Sequence, residues 1–107
     1  MGYEVMKESV GGLMDAAPPP DVQERIRSLI AQGGGGASQA HDLRTRHAGR
    51  VTFIDFHLVV PRRMSVARAH EICDRIERAL KAEMGEAVIT IHVEPENKAK
   101  HTGVLVL

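Results

Sequence analysis

The stretch VTFIDFHLVV, residues 51–60, has the clearest strand pattern in the chain. Its odd positions include Asp55 and His57, whereas its even positions are almost all apolar. Because successive side chains of a strand point to opposite faces, the apolar set should face a core and the polar pair should face away from it. Pro61 should end this strand. The apolar even positions are Ile54, Phe56, Leu58 and Val60.

The ten residues before this strand repeat the alternation more weakly. In Gln39–Ala48, period two places His41 on one face and Arg44 on the other. Ala48-Gly49-Arg50 predicts a hairpin turn. If that loop has three residues, His41 lies directly opposite His57, and the Cβ atoms of directly opposite residues are about 4.5–5.5 Å apart.

A helix should follow Pro61. Ser65 is a suitable N-cap for a helix that runs to about Met84, where Gly85 ends it. His70 falls at the boundary between the apolar stripe and the solvent face. The stripe is formed by Val66, Ala69, Cys73, Ile76, Leu80 and Met84.

Val88–Glu94 predicts a further strand, again with one apolar and one polar face. His92 and Glu94 point away from the core, and Pro95 ends the strand. Val104–Leu107 predicts a small edge strand.

The sequence before residue 39 predicts two helices, the first followed by a proline linker and the second by a run of glycines. Tyr3–Met14 predicts a short helix, and Pro18-Pro19-Pro20 a stiff linker. Asp21 is the expected N-cap of the next helix, with Glu24 completing a capping box. Gly33–Gly36 should end that helix and form a flexible joint.

The order helix, strand, strand, helix, strand predicts an α+β sandwich with the helices on one face of the sheet. With 107 residues, the chain should form one small domain over residues 21–107, preceded by an N-terminal segment and linker over residues 1–20. Zero net charge and only three aromatic residues argue against nucleic-acid partners. The single cysteine, Cys73, suits a reducing compartment and should be a core residue rather than a ligand.

Histidine is the commonest metal ligand, and the chain has six of them. Four lie on predicted elements where convergence is plausible: His41, His57, His70 and His92. Imidazoles with nearby carboxylates suit Zn²⁺, and less decisively other divalent transition metals. A lone histidine on a strand is more often an ordinary surface residue, which is the interpretation for His47 and for His101. The residue pattern alone leaves a metal site and a polar surface equally open.

Four segments in order carry a family resemblance: HDLRTR (41–46), FIDFHL (53–58), AHEI (69–72) and IHVEP (91–95). Together they resemble the cytoplasmic C-terminal domain of cation diffusion facilitators, which are divalent-metal efflux transporters. The likeness spans roughly residues 11 to 95. Residues 12–15 and the prolines that follow look like the junction with the last membrane helix of that family.

The resemblance implies a ferredoxin-like, metallochaperone-like fold and a V-shaped homodimer. Ions bound at or near the dimer interface would draw the two domains together and favour transport by the membrane part. The family's bridging carboxylate is matched by Glu94, where many members have Asp. Asp55 would be a ligand or would support one. The metal-site residues implied in this way are His41, His57, His70, His92, Glu94 and Asp55.

The function predicted is a non-enzymatic, zinc-preferring regulatory domain of cation-efflux type. Co²⁺, Ni²⁺, Cu²⁺, Fe²⁺ and Mn²⁺ are also possible ions. The domain would lie in the cytoplasm, at the inner membrane as part of a full-length transporter, and could not transport ions alone. The alternative is a stand-alone soluble metal buffer or partner-binding module unrelated to a transporter. An enzymatic role is disfavoured, because nothing outside the candidate ligands predicts a substrate pocket.

Overall fold

Two helices pack on one face of a four-stranded sheet. The computed structural model describes residues 17–100 and 103–107, so the helix predicted over Tyr3–Met14 lies outside the described residues. The elements in chain order are α1 (Pro20–Gly33), β1 (Gln39–Ala48), β2 (Val51–Val60), α2 (Val66–Met84), β3 (Ala87–Pro95), a 3₁₀ turn (Glu96–Lys98) and β4 (Val104–Val106). The predicted α+β class and the predicted element order are confirmed, including the small edge strand.

The strand order across the mixed sheet is β3-β2-β1-β4. β1 and β2 form an antiparallel hairpin, β4 pairs antiparallel with β1, and β3 pairs parallel with β2. A parallel pair needs a crossover connection, and α2 supplies it by packing back onto the sheet. β2 is therefore flanked on both sides, and its residues meet partners from β1 and β3.

The core lies between the helices and one face of β2. The predicted apolar positions of β2 are all buried, as is Cys73. Each helix packs against the sheet with an apolar stripe, formed by residues three or four positions apart. No helix among the described residues has the length and hydropathy needed to cross a bilayer. The fully buried core side chains are Ile26, Ile30, Ile54, Phe56, Leu58, Ile72, Ile76 and Leu80.

The two helices begin differently. α2 begins as predicted, because the Ser65 side chain accepts a hydrogen bond from the Arg68 amide at 3.0 Å. The predicted cap at Asp21 is wrong: α1 begins at Pro20, and no side chain caps it. Proline at the first helical position loses no hydrogen bond, because the first amides of a helix have no intrahelical partner.

The glycine run is not the flexible joint that its composition predicts. Gly33 is the last residue of α1 and is buried, and Gly34 is buried behind it. The Arg75 side chain donates to the carbonyls of Gly33 at 2.7 Å and of Gly35 at 2.6 Å. Glycine is needed here because α1 approaches Ile76 of α2 too closely for a side chain.

We predict that Gly33→Ala destabilises the domain. An added Cβ would lie 3.0 Å from Ile76 Cγ1 and 3.2 Å from Ile76 Cα, and the backbone atom cannot move aside alone. Overpacking of this kind costs about 1–3 kcal/mol, measured by urea unfolding. The exposed neighbour Gln32→Ala should stay within about 0.5 kcal/mol of the wild type. A stabilised Gly33→Ala protein would instead mean that the segment is a loose joint.

Candidate metal site

A β-bulge in β1 sets the position of the site. The hairpin turn has two residues, Gly49 and Arg50, so that Ala48 pairs with Val51 and Arg44 with Asp55. The predicted three-residue loop is therefore wrong. Continued without a break, this register would place His41 opposite Leu58, whose side chain faces the core.

The bulge restores the pairing that the sequence analysis expected. Asp42 and Leu43 together oppose the single residue Phe56, and Asp42 takes the left-handed conformation with φ 56°. Asp is among the few residues that adopt this conformation readily. His41 consequently lies directly opposite His57, as predicted.

The same bulge corrects the faces predicted for β1. Arg44 pairs with Asp55 and Arg46 with Phe53, so both arginine side chains lie on the same face of the sheet as His57. They share this face with His41, although the alternation predicted the other face for them. The Asp55 carboxylate is 3.2 Å from Arg44 Nε and 3.8 Å from Arg46 Nη1. The two arginines therefore form ion pairs with Asp55 beside the histidines.

Three imidazoles form a row across three neighbouring strands, β1, β2 and β3. His41 of β1 pairs with His57 of β2, and His57 pairs with His92 of β3. The ring centroids are 5.2 Å apart for the first pair and 4.9 Å for the second, and the rings are stacked. His41 is buried at 3% exposure, because β4 flanks it on the outer side, whereas His92 is exposed.

Glu94 bridges two of these rings. Its Oε1 is 3.2 Å from His41 Nε2, and its Oε2 is 3.0 Å from His57 Nδ1. These are close electrostatic contacts without the angles of hydrogen bonds. Among the described residues, His41 Nδ1 and Nε2, His57 Nδ1 and Glu94 Oε1 are buried atoms that make no hydrogen bond.

Asp42 completes the cluster from the bulge. Its Oδ2 is 3.4 Å from His41 Nδ1, while both of its carboxylate oxygens accept from Lys100 Nζ at 3.0 Å. His41, Asp42 and His57 each offer one ligand atom, and these atoms lie within 4.8 Å of one another. The sequence analysis missed Asp42, because strict alternation places neighbours on opposite faces and nothing local predicts the bulge.

The electrostatics of the cluster keep its carboxylates ionised. Burial raises the pKa of Glu94, but the contact with His57 and the charges of His57, His41 and Lys98 outweigh it and lower that pKa overall. The hydrogen bonds from Lys100 are the main reason that the pKa of Asp42 lies below its ordinary value. Both groups are therefore anions at neutral pH.

The donor set fits a divalent transition metal. Imidazole nitrogens and a carboxylate are the ligands that zinc binds in proteins. A buried polar atom without a hydrogen bond costs about 1–3 kcal/mol, so a bound cation would offset a real penalty here. His41, His57 and Glu94 would hold the ion, and His92 lies beside them on the same face.

Two predicted ligands lie away from this cluster. His70 is on α2 with a side chain that is 75% exposed, and its Nε2 is 3.6 Å from Asp74 Oδ2. Asp55 is on the correct face but faces the two arginines. Their roles as ligands stay predictions. His47, expected to be an ordinary surface residue, is half-buried and lies 3.1 Å from Thr52 Oγ1, and His101 is outside the described residues.

Comparison with known proteins shows the family. Residues 18–96 match the family model for the cytoplasmic domain of cation efflux proteins. The cation-efflux pump FieF of Yersinia enterocolitica is 38% identical over 95 residues, and an uncharacterised transporter of Synechocystis is 34% identical over 94. These matches cover 89% and 88% of this chain but 30% of each relative, so the chain spans less than a third of their length.

Solved structures agree with the fold. The candidate zinc transporter CzrB in its zinc form is 45% identical, with a TM-score of 0.74, and the match covers 82% of this chain and all of that one. The metal-bound C-terminal domain of the CzcD transporter from Thermotoga maritima is 27% identical, with a TM-score of 0.67 over 75% of this chain and 93% of that one.

The chain therefore belongs to the family of cation efflux protein cytoplasmic domains. This confirms the resemblance found in the sequence. The family is not enzymatic and its domain lies in the cytoplasm, so these two predictions are confirmed as well.

We predict that the metal-free protein has a Glu94 pKa below the ordinary glutamate value, and that His57→Ala raises it. The substitution removes the contact that lowers the pKa and leaves burial, which raises it. Carbon-detected NMR titration of the Glu94 carboxyl measures both values. Because folding lowers the pKa of Glu94, its ionised carboxylate contributes to the free energy of unfolding at pH values above its pKa in the unfolded chain. That contribution is lost as the pH falls through the pKa of Glu94 in the folded protein. His47→Ala should leave the Glu94 titration unchanged, and a Glu94 pKa insensitive to His57 would contradict the assignment.

Proposed function

We propose that this chain is the zinc-preferring, metal-binding regulatory domain of a cation efflux transporter and that it acts as a homodimer. The observation that carries the proposal is the contact of Glu94 with His41 and His57. Three buried polar atoms, His41 Nε2, His57 Nδ1 and Glu94 Oε1, lie at this contact without making a hydrogen bond. Such an arrangement costs free energy unless a cation binds between the groups.

Zinc is favoured by the chemistry of the ligands. Two or three imidazoles and one carboxylate match zinc better than they match Ca²⁺ or Mg²⁺, which prefer oxygen ligands alone. Co²⁺, Ni²⁺, Cu²⁺, Fe²⁺ and Mn²⁺ remain competing ions for such a set. The zinc form of CzrB and the metal-bound CzcD domain, both similar to this chain in fold, support the proposal.

The position of His70 supports a dimer. The histidine cluster lies on the sheet face that points away from the core, whereas α2 packs on the opposite face. His70 therefore cannot complete the cluster of its own protomer without unfolding the domain. We propose that His70 contributes to a site only from a second copy of the chain, and that the metal thereby draws two domains together.

The proposal also gives a role to each part of the chain. Residues 21–107 would form the regulatory domain, and residues 1–20 would connect it to the membrane part of the transporter. Metal binding between two domains would then favour transport by the membrane part. The domain would sense the ion and would not itself move it.

We predict that the metal-free domain binds zinc at micromolar concentration and that His57→Ala and Glu94→Ala each weaken binding by at least about tenfold. Each removes an expected ligand, and a tenfold change corresponds to about 1.4 kcal/mol. Isothermal titration calorimetry measures the affinity, and small-angle scattering measures compaction of the dimer. His47→Ala is the matched control, because His47 lies on the same sheet but bonds to Thr52. Wild-type protein that binds no zinc at this concentration, or ligand variants that bind like wild type, would disprove the site.

A mixing experiment tests the role of His70. We predict that His70→Ala alone, and His57→Ala/Glu94→Ala alone, both lose tight zinc binding and zinc-induced compaction. When the two proteins are mixed and allowed to exchange subunits, a heterodimer has one complete site: sheet ligands from the first protein and His70 from the second. Recovery of about one site per heterodimer is expected. If His70 served its own protomer, neither subunit would hold a complete site and mixing would restore nothing.

A further inference from the structure

The C-terminal segment after residue 96 adds a structural element beside the site. The match to the family model ends at residue 96, whereas β4 lies beyond it and pairs with the start of β1. In this pairing Val104 lies opposite His41. The segment therefore covers the most buried imidazole of the cluster.

Lys100 lies in this segment and is held in place by Gln39 of β1. The Gln39 side-chain amide accepts from the Lys100 backbone N–H at 2.8 Å and donates to its carbonyl at 3.1 Å. Gln39 is itself buried. A backbone held at both its donor and its acceptor gives the Lys100 side chain a defined starting point, from which Nζ reaches Asp42.

Asp42 and Glu94 approach different nitrogens of the same ring. Asp42 lies at Nδ1 of His41, and Glu94 lies at Nε2. Histidines that bind a metal through one nitrogen commonly donate the other N–H to a carboxylate, which fixes the orientation of the ring. Asp42 is placed for this second task, because the ion-binding side of His41 faces Glu94 and His57.

The ammonium group of Lys100 also separates the role of Asp42 from that of Glu94. It lies 3.0 Å from both carboxylate oxygens of Asp42, where it competes with a metal ion for the same lone pairs. The oxygens of Glu94 instead lie against the imidazole nitrogens His41 Nε2 and His57 Nδ1.

We propose that Asp42, held by Lys100 of the C-terminal segment, is a positioning residue that orients His41 for metal binding through Nε2 and is not itself a ligand. This inference rests on the proposed metal site and adds two residues to it. Asp42 was left out by strand alternation, and Lys100 lies beyond the region that the family model matches.

Four variants of the full chain test the proposal by zinc titration. Asp42→Ala should weaken zinc binding about tenfold, at the low end of what losing a supporting partner costs. Asp42→Asn keeps a side-chain oxygen at the same place, which could accept from Nδ1 once the metal holds Nε2, and should restore affinity to within about threefold of wild type. Lys100→Met should weaken binding about threefold, because an exposed ion pair contributes only a fraction of a tenfold change. Lys81→Met removes an equal charge from the exposed surface of α2, on the other face of the sheet, leaves the Lys100–Asp42 pair intact and should bind like wild type.

The Co²⁺ absorption spectrum distinguishes a positioning residue from a ligand. Visible bands of bound Co²⁺ change when a ligand is exchanged. Asp42→Asn and Lys100→Met should therefore leave the band positions as in the wild type, whereas Glu94→Gln should move them. A further substitution Lys100→Met in the Asp42→Ala protein should have no additional effect on affinity.

Two results would overturn the inference while leaving the metal site in place. If Asp42→Asn shifts the Co²⁺ bands and binds zinc as poorly as Asp42→Ala, then Asp42 is a ligand. If Asp42→Asn, Asp42→Ala and Lys100→Met all bind like wild type, the pair does not position His41. Wild-type protein that binds neither zinc nor Co²⁺ would disprove the proposed site, and this inference with it. Lys100→Met leaves the bulge residue unchanged, so the test stands even if Asp42→Ala fails to fold.

Discussion

The bulge at Asp42 is the constraint on which the site depends. One extra residue in β1 changes which side chains share a face with β2, because the side-chain period of a strand is two. With the bulge, His41 joins His57 and His92 in one row across three strands. Without it, His41 would point into the apolar core. The two-residue turn and the bulge together produce the pairing that a three-residue loop alone would have given.

The site combines burial with incomplete hydrogen bonding. His41 is enclosed by β4 on one side and by β2 on the other, and both of its nitrogens face carboxylates. Core packing elsewhere holds the strands rigidly, since β2 is fully buried on its helix face. A rigid sheet cannot relax to let these polar atoms find other partners. Rigid placement of this kind is what a preorganised metal site requires.

The sequence predicts most of the fold because its signals are local and repeated. Alternation over residues 51–60, the cap at Ser65 and the stop at Gly85 each act within a few residues of the position they determine. Of the two failures, the one at Gly33 has a non-local cause and the one at Pro20 has a local cause. Gly33 is buried because α2 packs against it, and Pro20 begins α1 because its missing N–H costs nothing at that position.

The same contrast applies to the site residues. His57, His92 and Glu94 lie on strands whose alternation is intact, so pattern alone places them on one face. Asp42 and Lys100 depend on a bulge and on a pairing between residues about sixty positions apart. No period of two or 3.6 residues carries that information.

The two faces of the sheet also separate His70 from the other three histidines within one protomer. The helices stabilise β2 by covering its apolar face, and α2 therefore presents His70 to solvent on that side. The imidazole row needs the opposite face, which the helices leave free. A fold that stabilises its sheet in this way separates His70 from the other histidines within the chain. Bringing them together requires a second protomer, and an ion that binds both would convert a change in metal concentration into a change in the distance between two domains.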